Sequence, residues 1–168
     1  MNTNPIPWRR FWARNFDYLL HAVAIVVIWT VIAPNSLMAV NNSLLGFLLM
    51  VVWLILECIY MTVFGTTLGK KIMGITIRTG DGTRVSSYIA VKRSRLVWVR
   101  GMGLGIGIIQ LIANMIGYSR LRRNGITSWD QELALVVSHQ KIGILRYLIC
   151  PFIVLTVTGL AVIGIVLG

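Results

Sequence analysis

From Tyr18 to Leu56 the chain runs 39 residues without an Asp, Glu, Lys or Arg. A soluble fold covers its outside with charge at much shorter intervals, whereas a bilayer asks for roughly 20 consecutive apolar residues per spanning helix. Further charge-free stretches of that length lie at 101–119 and 147–168, and 44–64 is broken only by Glu57. With 57% hydrophobic and 12% charged residues, the chain has more apolar surface than a core of this size can bury. The lipid bilayer is therefore the expected solvent, and three segments are expected to span it, with 101–119 as a fourth, ambiguous one.

The net charge of +11 does not indicate nucleic acid. Its basic residues fall in short connections between apolar runs instead of on one face of a soluble module. That pattern follows the bias of Lys and Arg toward cytoplasmic loops. Arg9, Arg10 and Arg14 precede the first run, the 35–43 connection is uncharged, and eight Lys or Arg residues lie between 65 and 100. The N-terminus and the 65–100 loop are thus expected on the cytoplasmic side.

The first segment begins near Phe11 and ends before Pro34-Asn35, and the second runs from about Leu44 to Phe64, stopping at Gly65. A short uncharged link makes them an antiparallel helical hairpin. The stretch GITIRTGDGTRV at 74–85 alternates apolar positions around Gly-Asp-Gly, which predicts a small cytoplasmic β-hairpin. Residues 88–100, with Lys92, Arg93, Arg95 and Arg100, read as a basic helix in the membrane interface, and Lys70 and Lys71 as contacts to lipid phosphates. The segment 101–119 opens with four alternating glycines. A full crossing would put Arg120, Arg122 and Arg123 outside, against the charge bias; a re-entrant hairpin would return them to the cytoplasm. No internal repeat is evident: the apolar halves share no alignable motif, so an inverted-repeat transporter architecture is not expected. The fold class expected is an all-α integral membrane protein: a helical hairpin, a Gly-rich re-entrant or crossing segment, a C-terminal transmembrane helix and the small β-hairpin.

Charged residues at membrane depth need partners. Arg10, Arg14, Asp17 and His21 share one face of the first helix, and Trp53, Glu57, Tyr60 and Phe64 one face of the second. Arg14, three residues before Asp17, is the nearest partner for it, and Glu57 lies at a comparable depth. Two readings follow: a structural clamp that locks the hairpin, or a carboxylate pair that binds a cation or relays protons.

Other chemistry is poorly supported. Cys58 and Cys150 sit in apolar segments, and no Cys/His group has metal-ligand spacing, so neither a metal nor a cofactor is expected. GTTLGKK at 65–71 is one residue short of a phosphate-binding loop and has no Ser or Thr after the lysine. Arg9-Arg10 before an apolar run resembles an export signal, but Asp17 and His21 interrupt it and no cleavage site follows. No nucleophile-base arrangement appears, and an enzyme is not expected.

Three stretches carry a resemblance: ARNFD at 13–17, GTTLGKKIMGITIRTGDG at 65–82 and GITSWDQELALVV at 125–137. Together they resemble the RDD family of small bacterial membrane proteins, named for an arginine and two aspartates. The resemblance covers residues 9–137 and leaves 147–168 as an additional C-terminal transmembrane helix. It makes Arg14 the family arginine, and Asp17 and Asp130 the two aspartates. Trp129 stands where the family usually has His, and Gln131-Glu132-Leu133-Ala134 where it has Gly-Thr. The resemblance implies a multi-pass protein of the bacterial inner membrane with a transport role for an unidentified ion or small solute; Arg14, Asp17 and Asp130, with Glu57 from the reading of the helix faces, are the expected ion or solute site or structural clamp. The alternative is a non-catalytic accessory or assembly subunit of a larger membrane complex. Partners expected are the bilayer and either further copies of the chain or that complex.

Overall fold

The computed structural model describes residues 6–167; Gly168, the last position of the expected C-terminal segment, lies outside them. Eight α-helices and two strands follow in the order α1 (Pro7–Ile32), α2 (Pro34–Met38), α3 (Asn42–Val63), α4 (Leu68–Ile72), β1 (Ile75–Thr79), α5 (Ser87–Leu96), α6 (Gly107–Asn124), α7 (Ser128–Glu132), β2 (Leu135–His139) and α8 (Ile144–Leu167). Three helices are long and apolar enough to cross a membrane: Pro7–Ile32, Asn42–Val63 and Ile144–Ile163. The chain is an all-α membrane protein with one small sheet.

Local chemistry sets the boundaries. Pro7 and Pro34 open α1 and α2, where a missing N–H costs no helical hydrogen bond. Asn41 caps α3 by accepting from the Ser43 N–H at 2.8 Å. α1 and α3 pack against each other as the expected hairpin, and α8 packs along α1. At the charged end of α1, Arg9 donates to the Gln140 carbonyl at 2.7 Å, and Arg146 donates to that of Lys71.

The expected β-hairpin is corrected. Its turn exists, with Gly82 donating to the Thr79 carbonyl, but residues 83–86 form no strand. β1 pairs antiparallel with β2 instead, Ile75 opposite His139, Ile77 opposite Val137 and Thr79 opposite Leu135. Ile75, Ile77, Leu135 and Val137 are all buried, so this long-range pairing buries apolar alternation that a local hairpin would leave on one exposed flap.

The ambiguous segment folds back. α5 continues through a π-helical turn, Val97–Gly101, and a short 3₁₀ turn, Gly103–Gly105, before α6 returns against both turns. Near its start Ser94 reaches Glu57 of α3; near its tip Trp98 donates to the Met50 sulfur at 3.1 Å. That descent is about 10 Å of helix rise along α3. On return, the Tyr118 ring stands 5.9 Å from Trp8, back at the starting end of α1. Residues 87–124 therefore form a re-entrant hairpin.

The reading that no internal repeat exists is also corrected. Residues 65–79 and 125–139 have the same backbone at a constant offset of 60. Gly65 and Gly125 have φ of 71° and 73°, Thr67 and Thr127 precede five-residue helices, and Gly74 and Ala134 have φ of 63° and 49°. The hydrogen bonds Lys71 to Thr67, Met73 to Gly69 and Gly74 to Lys71 recur as Gln131 to Thr127, Leu133 to Trp129 and Ala134 to Gln131. The strand register is symmetric about Ile77–Val137. Each half is thus a helical hairpin, a threonine-led turn of helix and a strand: α1–α3–α4–β1, then α5–α6–α7–β2. The re-entrant hairpin is the shorter counterpart of the spanning one, and α8 stands outside the repeat. Only Gly65/Gly125 and Thr67/Thr127 are identical across the 15 aligned positions, which is why the repeat does not show in the sequence.

Candidate functional site: a buried charge cluster between the halves

The two halves meet over seven ionisable side chains: Arg10, Arg14 and Asp17 of α1, Glu57 of α3, Lys70 of α4, Arg93 of α5 and Asp130 of α7. The α-helical period puts Arg10, Arg14 and Asp17 on one face of α1, and the Thr67 and Thr127 turns aim α4 and α7 at that face. Asp17, Glu57 and Asp130 are each 2% exposed or less. Buried carboxylates need donors, and each has a different set.

Asp17 accepts from the Thr67 hydroxyl at 2.5 Å and from the Gly69 N–H at 2.7 Å. The expected Arg14–Asp17 pair is corrected: Asp17 takes those two donors and no ion pair, and Arg14 instead lies 5.9 Å from the centroid of the Trp129 ring. Glu57 accepts from Lys70 Nζ at 2.6 Å and from Ser94 at 3.5 Å, with Arg93 at 3.9 Å. Glu57 is thus held by cations, and Asp17 by neutral donors alone. Asp130 accepts from Arg10 at 2.9 Å, from Arg93 at 2.9 Å and from the Thr127 hydroxyl at 2.7 Å. Burial pushes the Asp130 carboxyl up, but Arg93, Arg10 and the Thr127 hydroxyl together hold it below the usual carboxylate range.

Lys70 and Arg93, expected among lipid phosphates, are corrected to buried members of this cluster. The short α4 helix turns Lys70 inward against Glu57, and α5 directs Arg93 between the two acids. Lys71, Lys92 and Arg95 are exposed. His21 bonds the Asp17 carbonyl at 2.6 Å and the Tyr60 hydroxyl at 3.2 Å, joining α1 to α3 beside the cluster.

A cavity of about 30 Å³ lies inside, lined by Arg10, Arg14, Glu57, Lys70, Arg93 and Trp129 and by Ile75, Ile77 and Val137 of the sheet. Two buried donors of residues that line it, Arg10 Nε and Trp129 Nε1, have no acceptor among the described residues. Thr67 and Thr127 are the site residues that sequence reasoning passed over, while Arg10 is placed on the polar helix face and Trp129 in the late motif without a role in the site. The pattern Thr127-x-x-Asp130 was a visible signal, being the spacing of a helix capping box. Nearby on β2, His139 is buried with both ring nitrogens unpartnered among the described residues, and burial, then Arg10 and Arg9, lower its pKa to about 4.

The family model described as the RDD family matches residues 5–131. No curated protein and no solved structure matches the chain. The arginine and both aspartates that the resemblance singled out lie in or against one buried cluster, and the match covers both hairpins and α7 as far as Gln131. This chain belongs to the RDD family of membrane proteins.

Proposed function

We propose that the chain carries an ion or a small solute across the bacterial inner membrane, with its charged end and N-terminus in the cytoplasm, and performs no covalent chemistry. The supporting observation is where the cavity lies: Ile77 and Val137, the central pair of the pseudo-symmetric sheet, line it together with charged residues from both halves. Repeat-built transporters hold their cargo at such an interface. Ionisable groups buried at membrane depth are costly, and a purely structural core has cheaper apolar solutions. With three spanning helices the wall around a pathway is thin, so several copies of the chain would form the working unit. Purified protein in liposomes tests this reading: ion or solute flux above that of protein-free liposomes, lowered in Arg14→Gln, supports it. Gradient-driven flux equal to protein-free liposomes, across inorganic cations and anions, overturns it.

One observation favours the accessory-subunit reading. α8 packs on α1 and α4, whose counterparts in the second half are α5 with its π turn and α7. At that corresponding place is a groove of about 430 Å³ lined by Val99, Arg100, Ile112, Ile116, Ser128 and Trp129 among others. A helix of another membrane protein seated there would occupy the place α8 takes in the first half. Extraction in mild detergent distinguishes the two readings by composition: a stoichiometric foreign subunit supports the accessory role, and copies of this chain alone support transport.

A further inference from the structure

We propose that the cavity between the two halves binds one small monovalent inorganic anion, of halide size. The cluster has four cations, Arg10, Arg14, Lys70 and Arg93, and three carboxylates, Asp17, Glu57 and Asp130, a formal excess of one positive charge; its ion pairs join Arg10, Lys70 and Arg93 to Glu57 and Asp130. Arg14 and Asp17 form no ion pair among the described residues, and of the two only Arg14 lines the cavity. A guanidinium stays protonated in proteins, so a negative charge has to balance it. The donors point the same way: Arg10 Nε and Trp129 Nε1 belong to cavity-lining residues, are buried, and lack acceptors among the described residues.

Size and sign select the ligand. About 30 Å³ holds one or two water-sized bodies, which admits a halide and excludes phosphate, carboxylates and organic solutes. A cation would add to the excess charge, and the two acids of the cluster that face cations, Glu57 and Asp130, are already paired with Lys70, Arg93 and Arg10. Water alone would satisfy the N–H groups but leave the guanidinium charge uncompensated in a low-dielectric setting. Such an anion would also join the halves, because Arg10 and Arg14 come from the first and Arg93 and Trp129 from the second. The site stands whether or not the chain transports, so binding and flux are separate measurements.

The test is thermal unfolding of the full-length protein in mild detergent, with sodium chloride or bromide replacing sodium gluconate at constant sodium concentration. A ligand of the folded state raises Tm in a concentration-dependent way that follows its affinity. Chloride and bromide are expected to raise Tm with the dependence of a single site. Arg14→Gln is expected to abolish the halide dependence, and exposed Arg95→Gln to leave it unchanged. Trp129→Phe keeps the ring, removes the N–H and is expected to raise the half-effective chloride concentration about tenfold, the order of one hydrogen bond to a charged group. Equal Tm in chloride and gluconate overturns the site, as does wild-type halide dependence in Arg14→Gln. Should Arg14→Gln not fold, an unshifted chloride curve in Trp129→Phe overturns it instead. Halide binding without flux keeps the site and removes the transport reading; flux without halide dependence does the reverse.

Discussion

Ala134 holds a backbone conformation, φ 49°, that its counterpart Gly74 adopts at 63° with no Cβ to strain. The left-handed region costs an L-residue roughly 1–2 kcal/mol. Ala134→Gly should therefore stabilise the protein by about 1 kcal/mol, read as a rise in Tm. Gly74→Ala should destabilise it by more than that, because its Cβ would also stand 2.9 Å from Ile142 Cγ2. His139 makes stability pH-dependent. Its folded pKa of about 4 lies below the ordinary 6.5, so the unfolded chain binds the extra proton between those values. The stability is complete above pH 6.5 and falls as pH drops toward 4; His139→Gln should flatten that slope, and an unchanged slope would assign it to other groups. The spacing of Arg14 and Asp17 already shows in the sequence as one polar helix face. Which partner each takes does not, because Thr67 and Gly69 reach Asp17 from 50 and 52 residues away and displace the neighbour three positions back.

At the level of elements, the re-entrant hairpin depends on how closely its tip approaches α3. A Cβ at Gly105 would lie 2.4 Å from the Met50 sulfur, and its φ of 76° disfavours any side chain. Gly105→Ala should cost about 1–3 kcal/mol by overpacking and backbone strain. Adding Met50→Ala should recover the packing share and leave the strain; no recovery in unfolding measurements of the double variant would mean that the tip does not rest there. The helices themselves are legible from charge-free length and from Pro and Asn at their starts. The sheet is not: alternation in 75–79 announces a strand, but the Gly80-Asp81-Gly82 turn implies a local partner, and only burial of Leu135 and Val137 selects the distant one.

Across the whole molecule, every Lys, Arg, Asp and Glu lies outside the 18–56 stretch and the 147–168 segment, so one end of the bundle is charged and the other is bare. With Cys58 and Cys150 replaced, single cysteines at Ser36 and Asp81 should be labelled by impermeant thiol reagents from opposite sides of the membrane. Labelling of both from one side would contradict the arrangement. Residues 120–123 needed the fold to be placed, because charge bias alone weighs two topologies without showing where the chain turns. The repeat also carries a consequence in its differences. At the equivalent places one half has Lys70, paired with Glu57 of its own half, and the other has Asp130, which takes Arg10 from across the junction and Arg93 from its own half. Two copies of the first half would set lysine beside the Arg10 guanidinium, and two copies of the second would pair no lysine with any acid. The halves have become lock and key to each other, and that inequality is available only because one polypeptide links them: it obliges each to meet the other and never its own twin.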